Sequence, residues 1–122
     1  MSLRNLPHLQ LWVDDFMNDE KLKECSPAAV GVYIKVMCVM HKSEQYGTIL
    51  LKQKYKQGSD ICLSFACQLA RQMSYTIDEI KEGLSELIDE DVLQLDGEIL
   101  KQKRMVRDNE RHIIRAEAGR RG

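Results

Sequence analysis

A chain of 122 residues, of which 43% are hydrophobic and 30% charged, matches one globular domain and excludes a two-domain enzyme or a wholly disordered chain. It has no run of about 20 apolar residues and no signal-peptide pattern, so we expect a cytoplasmic protein without membrane contact and with free thiols. Residues 1–100 carry 10 lysines and arginines against 16 acidic residues, a net charge of −6, whereas residues 101–122 carry 8 against 3, a net charge of +5.

The first half of the chain predicts an N-terminal segment, a central helix and a short strand. Residues 3–19 mix apolar and acidic side chains, which favours an extended segment packed on the body. Ser26-Pro27 predicts a helix start, because the serine oxygen can accept from a free backbone N–H and proline needs no donor there. The apolar run over residues 28–40 then predicts a central buried helix, and residues 48–51 predict a strand.

Two amphipathic helices are expected after that strand. The second helix is predicted over about residues 62–73. Its predicted apolar face consists of Leu63, Ala66, Cys67, Ala70 and Met73. Thr76 and Glu79 have the spacing of a capping box, which predicts that a third helix begins here and ends near residue 90.

The last predicted element of the body is a β-hairpin. Asp96-Gly97 suits the central pair of a two-residue turn and would place Leu95 opposite Glu98. This element order is typical of a winged helix-turn-helix domain, a mainly α fold with a small β-sheet. We therefore assign residues 1–101 to a winged-helix domain with an N-terminal extended segment. Residues 102–122 are assigned to a basic C-terminal helix or arm that leads to a linker.

The third helix has an acidic exterior. Its outward acidic residues are Asp78, Glu79, Glu82, Glu86, Asp89 and Glu90. In a winged helix this element enters the major groove, where carboxylates would repel the phosphates. Groove insertion is therefore disfavoured, and two readings stay open. One is a solvated face, and the other is a protein contact through Glu79, Glu82 and Glu86.

The C-terminal segment holds the candidate DNA-binding residues. These are Lys101, Lys103, Arg104, Arg107, Arg111, Arg115, Arg120 and Arg121. If the segment is helical, positions 104, 107, 111 and 115 lie within about 80 degrees, and arginine suits phosphate through its paired donors. Asp108 lies in the same stripe and is expected to pair with Arg104 or Arg111. Val106 and Ile113 face the other way, toward the body or a protein partner, so backbone contact with DNA and self-association both stay open.

No catalytic, cofactor or metal motif is recognised in the sequence. It lacks the GxxxxGK, GxGxxG, HExxH and GxSxG patterns, so we expect no enzymatic activity. Cys38 and His41 stand one helical turn apart and could share a metal with Cys62 or Cys67. Free cysteine is, however, commonly a small core residue. We therefore predict no cofactor and no metal.

Several runs resemble an uncharacterised family of phage and prophage proteins. They are Trp12-Val13-Asp14-Asp15-Phe16, Asp19, Lys21-Leu22, Cys25-Ser26, Ala29-Val30-Gly31-Val32-Tyr33, Met37-Cys38-Val39-Met40-His41, Arg104-Met105-Val106-Arg107-Asp108, Arg111 and Gly119-Arg120-Arg121-Gly122. Such proteins are similar to the N-terminal winged-helix domains of phage replisome organisers and of DnaD-type replication-initiation proteins. The last run resembles the start of a glycine-rich basic linker, which implies that the chain is a fragment.

The resemblance implies a role in phage DNA replication without catalytic residues. Such a domain would bind origin DNA, self-associate or help to recruit a helicase loader. The predicted function is a noncatalytic winged-helix module of a phage-type replication-initiation protein that binds the DNA backbone through its basic C-terminal segment. The alternative is an oligomerisation or docking module of the same type of protein without direct DNA binding.

Overall fold

A computed structural model describes residues 2–121, which form a mainly helical fold with a small antiparallel sheet. The helices are α1 (Val13–Asn18), α2 (Glu20–Lys23), α3 (Pro27–His41), α4 (Ile61–Leu69), α5 (Ile77–Asp89) and α6 (Lys103–Arg121). The strands are β1 (Thr48–Leu50), β2 (Gln94–Asp96) and β3 (Ile99–Lys101), and single 3-10 turns cover Leu3–Asn5 and Gln53–Tyr55. Within residues 2–121, no helix combines the length and the apolar character that crossing a membrane requires.

Helices α3 and α5 pack closely at the centre of the core. The predicted helix start at Ser26 is confirmed, because its Oγ accepts from the backbone N–H of Ala29 at 3.1 Å. The α5 capping box is confirmed too. Gly83 of α5 allows the two helices to approach, since a Cβ atom there would lie 2.8 Å from Cγ2 of Val32. The best delimited predicted helices therefore build the centre of the protein.

Helix α4 is shorter than predicted and buries a different face. It ends at Leu69, and its fully buried apolar side chains include Phe65 and Leu69. Gln68 is also buried, because its side chain accepts from the N–H of Lys52 at 2.8 Å and donates to the carbonyl of Leu50 at 3.1 Å. The predicted face includes three residues that are only partly buried, Leu63, Cys67 and Ala70. The prediction was wrong because it assumed a purely apolar buried face. Gln68 is buried instead, since it forms hydrogen bonds with the backbone of Leu50 and Lys52.

The sheet has the strand order β1-β3-β2 with antiparallel pairing. The predicted strand at residues 48–51 and the hairpin are confirmed, but the hairpin register was wrong. Leu95 pairs with Leu100 instead of Glu98, so the turn is Gly97-Glu98. Gly97 has a φ of 62°, as the first central residue of a type II′ turn requires. The predicted register would have set Leu93 opposite Leu100, whereas the observed register sets Leu95 opposite Leu100, so the turn is shifted by one residue.

Residues 3–19 pack on the body as predicted, but they are not an extended segment throughout. They contain the 3-10 turn Leu3–Asn5 and α1, α2 follows at Glu20, and both Leu3 and Leu22 reach into the core. The carboxylate of Asp19 caps α2 by accepting from the backbone N–H of Lys21 at 2.9 Å. Short local caps of this kind were missed because mixed apolar and acidic residues show no clear period over six residues or fewer.

Candidate nucleic-acid interface

The basic C-terminal segment forms the helix α6, and its first turn is fixed to the body. The side chain of Gln102 accepts from the backbone N–H of Met105 at 3.0 Å and donates to the Tyr33 hydroxyl at 2.9 Å. The backbone N–H of Gln102 donates to the carbonyl of Gly47. Burial raises the pKa of Tyr33, which therefore stays a neutral partner at physiological pH. The start of α6 thus has a defined position against α3 and the loop before β1.

The N-terminal segment lies against α6 and forms hydrogen bonds from Ser2, Leu3 and Trp12 to this helix. Asn109 accepts from the backbone N–H of Leu3 at 2.7 Å. The indole Nε1 of Trp12 donates to the carboxylate of Asp108 at 3.2 Å. The expected pairing of Asp108 with arginines of its own helix was wrong, because Trp12 occupies this carboxylate. The N-terminal segment therefore contacts the first two turns of α6.

Two of the predicted DNA-binding residues are paired with carboxylates of the body. Arg104 lies 3.2 Å from the carboxylate of Asp15, and Lys101 lies 3.7 Å from that of Asp96. Their positive charge is partly compensated within the protein, so they are weaker candidates for phosphate contact than the sequence indicated.

Arg107, Arg111 and Arg115 are exposed and lie along one edge of α6. None of the three forms an ion pair with a carboxylate in residues 2–121. A separation of four residues along an α-helix corresponds to a rise of about 6 Å, so the three guanidinium groups form a regular row. We call Arg107, Arg111 and Arg115 the arginine row.

The remaining predicted basic residues lie outside the arginine row. Lys103 and Arg120 are exposed, and neither forms an ion pair within the described range. On an ideal helix Arg120 points well away from the row, whereas Lys103 lies near its N-terminal end. The side chain of Arg121 is outside the part of the chain that the structure describes.

Two of the carboxylates of α5, those of Glu79 and Glu86, bond to helix starts. Glu86 accepts from the backbone N–H and the hydroxyl of Ser26 at 2.9 and 2.7 Å, and these bonds hold its pKa below the usual value. Hydrogen bonds from the backbone and side chain of Thr76 likewise lower the pKa of Glu79. Glu82 is exposed, with no ion pair or side-chain hydrogen bond to the rest of residues 2–121. Of the three predicted protein-contact acids, only Glu82 is free for a partner.

The predicted apolar contact residues differ in exposure from their neighbour Ile114. Val106 is partly buried and packs on Gly47, where an added Cβ would lie 2.9 Å from its Cγ2. Ile113 is also partly buried, whereas Ile114 is 64% exposed. The sequence analysis also missed Trp12, which is 55% exposed beside α6. No local sequence signal indicates that Trp12 would meet a helix nearly 100 residues away.

His41 has a structural position that leaves no ring nitrogen for a metal. Its Nε2 lies 2.9 Å from the carbonyl of Leu6, and its Nδ1 lies 2.6 Å from the Tyr46 hydroxyl. A carbonyl oxygen can only accept, so Nε2 donates and Nδ1 accepts in the neutral ring. Burial raises the pKa of Tyr46 to about 12, which keeps this donor protonated. Across residues 2–121, no three histidine, cysteine or acidic side chains are grouped to hold a metal ion, and the four cysteines are free.

Comparisons with known proteins identify no relative of this chain. No family profile, no curated protein and no solved structure matches the chain. A functional assignment therefore depends on the charges, exposure and contacts of α6 and of the N-terminal segment beside it.

Proposed function

We propose that this chain is a noncatalytic winged-helix module of a phage-type DNA replication-initiation protein and that it binds the DNA backbone through α6. The observation that carries the proposal is the arginine row, which is exposed and uncompensated by carboxylates in the described residues. Arginine presents paired donors that match a phosphate, and such contacts position a protein on DNA without reading its sequence.

The winged-helix part of the proposal is supported by the order of the elements. A helix, a strand, two helices and a hairpin follow each other as α3, β1, α4, α5 and β2–β3. The phage replication context is supported by the resemblance of the sequence runs that include Trp12-Val13-Asp14-Asp15-Phe16. This resemblance suggests the biological setting, whereas the arginine row suggests the chemistry.

The proposal places DNA at α6 and not at α5. The outward side of α5 carries carboxylates, and two of them, Glu79 and Glu86, are held ionised by hydrogen bonds to helix starts. Bringing phosphates to this face would oppose like charges without releasing counterions. The basic edge of α6 has the opposite sign and releases counterions on binding.

A salt series tests the proposal directly. If the arginine row neutralises three phosphates, the logarithm of the affinity for duplex DNA falls with the logarithm of the salt concentration at a slope of about −2.7. Replacing two of the row, as Arg107→Ala with Arg111→Ala, reduces that slope to about −0.9. Fluorescence anisotropy of a labelled duplex measures both values.

The matched control removes the same amount of charge elsewhere. Lys35 and Arg71 are exposed and lie outside α6, so Lys35→Ala with Arg71→Ala is expected to leave the slope unchanged. An equal loss in the two double variants would show that general charge, and not the row, is responsible. Absence of any binding at about 50 mM salt would contradict the proposal altogether.

The second candidate function is self-association or protein docking. It is favoured by exposed apolar side chains in α1, just before α1 and on α6. They are Leu11, Trp12, Val13, Met17 and Ile114. Light scattering of the wild type and of Ile114→Glu tests this candidate, because a charged residue at an interface reduces the measured mass. A wild type that remains monomeric at every concentration would contradict it.

A further inference from the structure

We infer that Trp12 is a base-stacking residue and that the α6 site binds single-stranded nucleic acid. This inference rests on the proposed contact of the arginine row with phosphates. It adds that the nucleic acid bound there is single-stranded. Its own observation is separate: an exposed indole ring is held by a hydrogen bond at the N-terminal end of that row.

The position of Trp12 is set by one hydrogen bond of its ring and by a neighbouring ion pair. It is the N-cap residue of α1, and its Nε1 donates to Asp108, the residue that follows Arg107 in α6. One turn further along α1, Asp15 pairs with Arg104. The segment is therefore joined to α6 at two points. The indole still keeps 55% of its surface exposed, so its orientation is fixed while much of the ring remains open.

A cleft of about 560 Å³ lies between this segment and α6. Trp12, Phe16 and Tyr33 contribute its aromatic lining, and Lys103 and Arg107 contribute cations from α6. Phe16 and Tyr33 stack on each other with their ring centres 6.4 Å apart, and both are more buried than Trp12. Their aromatic surface therefore serves the packing of the protein, whereas that of Trp12 remains available to a ligand.

An open aromatic face beside a row of cations is the combination that single strands require. Unpaired bases stack on aromatic side chains with little regard to sequence, while a basic groove follows the phosphates. The bases of a duplex already stack on each other and offer no free face without being pulled apart. An indole at the edge of α6 therefore gains contact with a single strand that it cannot make with an intact duplex.

The charged side chains around the ring disfavour an apolar protein segment as its occupant. The carboxylates of Asp15, Asp19, Asp91 and Asp108 line the cleft, and so do Lys103 and Arg107, two cations without an ion pair in the described residues. An apolar segment that covered Trp12 would desolvate these cations without compensating them. A nucleotide would place its base on the ring and its phosphate near the guanidinium group.

Intrinsic fluorescence tests the stacking directly because Trp12 is the single tryptophan of the chain. The probes are labelled oligomers of about 12 nucleotides, one of deoxythymidine and one of uridine, together with a duplex and an abasic oligomer of equal length. Both single strands are expected to quench Trp12 in step with the rise of their anisotropy. The duplex and the abasic oligomer are expected to bind without that quenching. Quenching by only one of the two single strands would identify DNA or RNA as the ligand.

Three variants separate stacking from folding. Trp12→Ala is expected to weaken the binding of the deoxythymidine oligomer by about 5- to 150-fold while changing duplex affinity by less than about 2-fold. Trp12→Phe keeps an aromatic face and is expected to retain most of the affinity. The matched control is Met17→Ala, which removes another exposed apolar residue of α1 that lies outside the cleft, and it is expected to have no effect.

The outcomes distinguish this inference from the proposed function. Binding that depends on the arginine row, without any change in Trp12 fluorescence, would overturn base stacking and leave backbone binding intact. No binding of any oligomer would overturn both. A fluorescence change that depends on protein concentration alone would show that a second copy of the chain covers Trp12, which would also overturn the inference.

Discussion

Helices α5 and α6 both expose charged side chains, but the charges have different uses. In α5, Glu79 caps its own helix and Glu86 caps α3, so these carboxylates are bound within the protein. In α6, Arg107, Arg111 and Arg115 are exposed without an acidic partner in the described residues. A count of charges along the sequence cannot separate these two uses.

The comparison teaches that compensation, not the number of charges, indicates where a ligand binds. Paired charges such as Arg104 with Asp15 already have a partner, and a ligand must compete with it. Uncompensated charges gain a partner only when a ligand arrives. The two helices therefore predict different consequences of mutation, with stability affected at α5 and binding affected at α6.

The largest expected difference between the helices concerns their apolar residues. Leu84 of α5 is fully buried, so Leu84→Ala is expected to lower the free energy of unfolding by about 2 to 5 kcal/mol through lost packing and a cavity. Ile114 of α6 is 64% exposed, so Ile114→Ala is expected to change it by less than about 0.5 kcal/mol. Urea denaturation measures both. Similar losses in the two variants would show that Ile114 is packed like a core residue.

A smaller effect is expected from the acidic side of α5. Glu86→Ala removes the carboxylate that accepts two hydrogen bonds from Ser26, and is expected to cost about 1 kcal/mol of stability. Glu82→Ala is the matched control on the same helix and is expected to be neutral within about 0.5 kcal/mol. Thermal or urea unfolding distinguishes the two, and equal effects would contradict the capping role of Glu86.

The smallest expected effect is a pH dependence of the same contacts. Glu79 and Glu86 have pKa values below their usual 4.5 because helix-start donors bind the ionised form. Their contribution to stability is therefore complete above about pH 4.5 and is lost as the pH falls through the lowered values. Unfolding between about pH 6 and about pH 3 measures the loss, which Glu86→Gln is expected to reduce. An unchanged loss in that variant would assign the acid sensitivity to other carboxylates.

The sequence predicts best the elements that are specified locally. Ser26-Pro27 and the Thr76 capping box use residues within three positions of each other, so the starts of α3 and α5 can be read directly. The short β1 and the presence of the hairpin follow from equally local patterns. The alignment of arginines on α6 also needs only the helical period.

The features that the sequence does not predict depend on distant partners. Gln68 is buried because it forms hydrogen bonds with the backbone of Leu50 and Lys52. Leu95 pairs with Leu100 because both contact the core side of the sheet. The bond of Trp12 to Asp108 joins residues 96 positions apart. For this reason the sequence alone could not show which cations are paired with carboxylates. It therefore could not show where the candidate site lies.

The contact between the N-terminal segment and α6 also has a consequence for the order of folding. The bond from Leu3 to Asn109 spans 106 positions and can form only after a very long loop has closed. The contacts of α3 with α5 and of β2 with β3 join nearer segments and are expected to form earlier. In native-state hydrogen exchange, the amides of the N-terminal segment and of α6 should accordingly open together, at a lower free energy than those of α3 and α5.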